Sequence, residues 1–149
     1  MKKKWLLPSL AIAPIIATPM IAASCDNKGP INNQNLQKLT STQIEQIKNS
    51  FVFELTEEGR QQNYRDVVEL LKNKVNYYLS HQQFNAVQSD VELSKWVKLK
   101  WININDIQIG HNLKILFQVD SNTQLLKLKW EVSCEAFGTE GSGEETLEK

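Results

Sequence analysis

The apolar residues of this chain change their spacing near Leu93, and that change constrains the fold more than any other feature. Ahead of it they recur at helical intervals. Tyr64, Val67, Val68, Leu71, Val75, Tyr78 and Leu79 stand at i, i+3, i+4, i+7 and beyond, which predicts an amphipathic helix. Upstream, Ile44, Ile47, Phe51 and Leu55 form a second stripe. Thr42 and Glu45 fit the capping box that starts such a helix. A break over 56–59 separates the two. After Leu93 the period is 2. Val97, Leu99 and Trp101 alternate with lysines; Leu113, Ile115, Phe117 and Val119 form a second run; Leu126, Leu128, Trp130, Val132 and Cys134 form a third. The turn cluster Asp120-Ser121-Asn122-Thr123 makes the last two runs a hairpin, and Gly110-His111-Asn112 marks another turn. The parity flips at Trp101-Ile102, which suggests a bulge, and 107–109 reads as a short extra strand. Helices followed by antiparallel strands define an α+β domain. The expected arrangement is two N-terminal amphipathic helices packed on a three- to four-stranded antiparallel meander.

The N-terminus follows different rules. Lys2, Lys3 and Lys4 precede an apolar stretch from Trp5 to Ala23, and small residues lead to Cys25 in the run Ile21-Ala22-Ala23-Ser24-Cys25. A basic region, an apolar region and small residues at a cut describe a secretory leader. As a retained transmembrane helix the stretch is near the lower length limit. Pro8, Pro14 and Pro19 would each remove a helix hydrogen bond. A cysteine placed at the cut resembles a bacterial lipoprotein signal, although Ala22 stands where leucine is commonest in that box. The resemblance implies that the Cys25 thiol receives a diacylglyceryl group and becomes the new N-terminus.

Composition adds to this. The chain has 15 Lys against 2 Arg, with 13 Asn and 12 Gln, a bias typical of AT-rich coding. With the Ala-Ala-Ser-Cys box and the proline-interrupted leader, the first 28 or so residues resemble those of mollicute (mycoplasma-type) surface lipoproteins. That resemblance carries one functional position, Cys25. It implies a lipid-anchored, outward-facing protein of the cell membrane, in cells with neither wall nor outer membrane.

The domain boundaries follow from these features. Residues 1–24 are the expected signal peptide and 25–38 the lipidated cysteine with a polar stalk. Residues 39–137 form one α+β domain, and 138–149 (GTEGSGEETLEK) read as a disordered acidic tail. A 13-residue polar coil averages about 20 Å end to end. Without the leader, 14 basic side chains face 17 acidic ones, a net of −3. About 125 residues suffice for one small domain, too few for two lobes around a solute cleft. Cys134 is the one other cysteine, so lipidation at Cys25 leaves no intramolecular disulfide to form.

The inventory for catalysis is thin. His81, near a helix end, and His111, in a turn, have no partners at metal-ligand spacing and read as solvent-facing. Glu57, Glu58, Asp66 and Glu69 lie near the second helix's start, where they complement its dipole. No nucleophile elbow, phosphate loop or dinucleotide fingerprint occurs. No catalytic residue, metal or cofactor is expected beyond the diacylglycerol on Cys25. Cys134 shares the inward parity of its strand, where free cysteine behaves as a small hydrophobe. The remaining candidate is a lysine face. If the apolar parities face the helices, Lys98, Lys100, Lys114, Lys127 and Lys129 share the other sheet face with Trp96. Such a face can hold an acidic lipid, a polysaccharide or single-stranded nucleic acid. Lysine is also the default polar residue of an AT-rich genome and a guard for edge strands. The expectation is therefore a non-enzymatic, membrane-anchored surface module for display or interaction with a host or surface macromolecule. The alternative is an accessory subunit capturing an anionic ligand or nucleic acid on the lysine face.

Overall fold

The computed structural model describes residues 36–149 in full and residues 20–24 by backbone pairing. Cys25 and the stalk through residue 35 lie outside the described residues. The chain is α+β, with helices and antiparallel sheets.

Helix α1 (Ser41–Ser50) is capped by Thr40, whose hydroxyl accepts the Gln43 N–H at 3.2 Å while Gln43 Oε1 accepts the Thr40 N–H at 2.9 Å. The capping box thus stands two residues ahead of the expected Thr42/Glu45 pair. The helix also stops earlier than expected. Phe51 and Leu55 continue its i, i+4 stripe, but Phe51, Phe53 and Leu55 alternate equally well, and Val52–Leu55 forms strand β2. An aromatic and β-branched run suits a strand, and a partner settles it: β2 pairs antiparallel with β3 (Val97–Lys100).

Between them lie α2 (Glu57–Arg60) and α3 (Tyr64–Ser80). The Thr56 N–H donates to the Trp96 carbonyl at 3.0 Å. A Cβ on Gly59 would lie 2.0 Å from that carbonyl oxygen, so α2 sits on bare backbone. In α3, Val67, Leu71 and Val75 are fully buried, as the helical period predicts. Two corrections apply to the loop after β3. Trp101–Asn103 leaves the ladder instead of bulging, because Gln88 Oε1 takes the Trp101 N–H at 2.9 Å. Residues 107–109 are a turn region, not a strand.

Strands β4 (His111–Val119), β5 (Leu126–Cys134) and β6 (Gly138–Thr146) form an antiparallel meander. A further strand, β1 (Met20–Ser24), runs along the other side of β4, with Ser24 beside Leu113. The β4–β5 turn is held by Asp120 Oδ1, which accepts the N–H groups of Asn122 and Thr123 at 3.0 and 2.9 Å. The β2–β3 pair lays its buried side over the inner face of the meander. Phe53 meets Phe117 edge-on with centroids 5.8 Å apart, and Phe51 stacks on Trp130 at 5.3 Å.

The largest correction is at the C-terminus, where the expected disordered tail is strand β6. Its glycines suit a strand that must lie close to other groups. A Cβ on Gly143 would lie 2.8 Å from the Trp130 ring, and one on Gly141 would lie 3.0 Å from Ile44 of α1. Leu147 then closes the core with no exposed surface. Its carbonyl accepts the Tyr64 hydroxyl at 2.8 Å, and that hydroxyl accepts the Leu126 N–H at 2.8 Å. Removing residues 138–149 uncovers Trp130 and Val132 and discards a buried leucine, itself about 2 kcal/mol. The truncated protein is expected to melt without a cooperative transition by circular dichroism; a sharp transition near that of the intact chain would make the tail dispensable.

Candidate functional site

The two sheets divide the lysines. Lys98 and Lys100 project from β3, whose buried residues Val97 and Leu99 face the meander. Lys114, Lys127 and Lys129 project from the opposite surface of the meander, away from that same core. The five therefore do not share a face. The sequence expectation assumed one sheet, whereas β2 pairs with β3 to form a second sheet. Trp96 is half-buried against the core beside β3, and its carbonyl is occupied by Thr56.

Neither lysine group stands free of acid. Lys98 Nζ lies 3.0 Å from Glu54 Oε1. On the meander, Lys127 Nζ lies 2.8 Å from Glu144 Oε1 and 3.6 Å from Asp120 Oδ2. The hydrogen bond to Glu144 and the two carboxylates raise the Lys127 pKa. Lys127 in turn lowers that of Glu144, with Lys129 adding to the effect. Asp120 is lowered chiefly by the Thr123 and Asn122 N–H groups. Lys114 stands opposite Glu131 and Lys129 opposite Glu144 in the strand register. These residues line an open groove of about 420 Å³ together with Leu116 and Ser142. Lysine and carboxylate alternate across it, which cancels the field a polyanion would follow. Lys100 borders a second open groove with Asn85, Gln88 and Trp101.

The most unusual chemistry was not expected from the sequence. His111, read as a solvent-facing turn residue, is 3% exposed. It begins β4 on the inward parity of Leu113 and Ile115, which is the signal that was available. Its Nε2 lies 2.6 Å from Glu140 Oε2, with both side chains fully buried. The approach is too oblique to count as a hydrogen bond, and Nδ1 has no partner among the described residues. Glu140 reaches inward because β6 shifts register between Val132 and Ser133, leaving it outside the regular pairing. Its other oxygen accepts the Leu39 N–H at 2.7 Å. Cys134, buried as expected, is the direct cross-strand neighbour of His111. His81 is exposed at the end of α3, where Nδ1 lies 2.7 Å from the Tyr77 carbonyl.

Among the described residues no group of three or more His, Cys, Asp or Glu is placed to hold a metal ion. No described helix is long and apolar enough to cross a membrane. No protein-family model, curated protein or solved structure matches the chain.

The His111–Glu140–Leu39 cluster joins β4, β6 and the segment entering α1. Glu140→Ala strands the Leu39 amide and leaves a void beside the imidazole, at a cost of about 2 kcal/mol. Glu135→Ala, on the exposed turn nearby, is expected to change stability by less than about 0.5 kcal/mol. Urea unfolding of the two variants checks the contrast, and equal midpoints would refute it.

Proposed function

We propose that this chain is a surface lipoprotein of a mollicute-type membrane, tethered through Cys25 and presenting a non-catalytic interaction or display domain to the outside. The observation that carries this reading is the leader itself: three lysines, an apolar stretch, and Ala-Ala-Ser-Cys followed at once by polar sequence. The unit presented is the pair of helices α1 and α3 laid with the β2–β3 ladder on the meander. In this reading Met20–Ser24 departs with the leader, and β4 becomes an edge of the sheet.

The pairing of lysines with carboxylates on both outer surfaces supports display or protein contact over capture of a polyanion. A polyanion site needs an uncompensated positive field. Here the candidate residues Lys98 and Lys127 already sit in ion pairs, and Lys114 and Lys129 face glutamates.

Two measurements test this. The full chain, produced in a bacterium that processes lipoproteins, is expected in the membrane fraction with an intact mass that begins at Cys25 and includes a diacylglyceryl group. Cys25→Ser is expected to lose both the lipid and the cut. A wild-type mass retaining residues 1–24 would sink the anchor. Titration of the purified protein with heparin and single-stranded DNA is expected to show no salt-sensitive binding. Binding that disappears in the Lys98/Lys100/Lys127/Lys129→Glu variant would reinstate the anionic-ligand reading.

A further inference from the structure

We propose that one end of the domain is a lipid-docking surface, on which Ile109 and Phe137 touch the bilayer that holds the tether. This rests on the lipoprotein reading above and adds an orientation to it.

The starting point is where the chain enters the domain. Leu39 is 6% exposed, and its N–H is held at 2.7 Å by Glu140, two residues inside the start of β6. Four residues on, Gln43 Nε2 donates to the Ile107 carbonyl at 3.4 Å. The stalk therefore arrives at the end of the meander where β4 begins, β5 finishes and β6 begins.

That end also carries two of the four large apolar side chains that the described residues leave exposed. Ile109 is 72% exposed in the turn before β4, and Phe137 is 41% exposed in the turn between β5 and β6. His111, Cys134 and Gly138 are register partners, which sets the two turns side by side. Lys38, Asp106 and Glu135 are the exposed charged side chains of the segments nearby. They sum to one negative charge, so the contact is apolar and not a basic patch for acidic lipid.

Tether length identifies the occupant. A stalk of about 13 residues keeps this end within roughly 20 Å of the headgroups on average. The Asp120–Gln124 turn lies at the far end of nine-residue strands, about 30 Å away. Two side chains hold a free domain on lipid only weakly. A tethered domain meets the surface at an effective concentration in the millimolar range, where a weak contact is populated. Leu39 is fixed by a buried pair, so the domain cannot present another end without opening that pair or lifting off on its stalk.

The test is hydrogen–deuterium exchange on the full chain in phosphatidylcholine vesicles, after intact mass has established whether Cys25 carries lipid. Where the mass shows Cys25 bare, the lipoprotein reading fails. The same protein is then joined through Cys25 to a maleimide phospholipid, so that docking is scored in either case. Peptides spanning 105–112 and 134–140 are expected to gain protection relative to the vesicle-free protein, while 119–125 stays unchanged. Ile109→Glu with Phe137→Glu is expected to abolish that gain and leave the melting temperature unchanged, since both side chains are exposed. Equal protection at both ends, or a gain that survives the double variant, would overturn the proposal.

Discussion

The pairing of β6 along β5 is the interaction on which the remaining contacts depend. Gly141 and Gly143 leave room for Ile44 and the Trp130 ring, so α1 and a core tryptophan settle directly onto the strand. The register shift between Val132 and Ser133 frees Glu140 to turn inward, where it meets His111 and Leu39. At the other end Leu147 fills the core and receives the Tyr64 hydroxyl, tying in α3. One strand with almost no apolar side chains thus fixes both helices and the point where Leu39 enters the domain. Its contribution is geometric, since it supplies space and backbone hydrogen bonds while the neighbouring elements supply the apolar surface.

This strand was also the least legible part of the sequence, and for the same physical reason. Hydrophobic periodicity reports side chains that enter a core. In Gly138–Thr146 the positions facing Ile44 and Trp130 are glycines, so the run reads as a flexible acidic tail. Where burial is by side chain, legibility was high. The β4–β5 hairpin, its Asp120 turn and the α3 face all follow the predicted periods. Between Phe51 and Leu55 the spacings 47, 51, 55 and 51, 53, 55 are both apolar, so sequence alone had no way to choose. The choice came from β3, a partner 40-odd residues away that offered a matching ladder. Tertiary pairing overrode a local pattern that was already ambiguous.

The candidate site fared unevenly for related reasons. Parity within a strand correctly turned Lys98 and Lys100 outward, and Lys127 and Lys129 likewise. Parity cannot say which strands share a sheet, and that decides whether outward lysines add their fields or point apart. Their counter-charges were hidden too, since Glu144 lies in the supposed tail and Glu54 in the supposed helix. Each misplaced element removed an acid from view and left its lysine apparently free. His111 reversed the error: a turn motif outweighed the inward parity it shares with Leu113, and a buried imidazole was read as solvated.

Burying a histidine and a glutamate together is costly unless their geometry is well satisfied, and here the alignment is oblique and Nδ1 has no partner among the described residues. A well-packed apolar pair would serve core stability as well or better. What the carboxylate does that an apolar side chain cannot is grip a backbone amide at a defined place. Glu140 sets one oxygen beside the imidazole and accepts the Leu39 N–H with the other, so a polar contact near the start of β6 fixes where the chain enters α1. Under the tether proposed above, that entry point sets which end of the domain lies nearer the membrane. The stability cost of the pair and the fixed entry point of the chain are two consequences of one buried carboxylate.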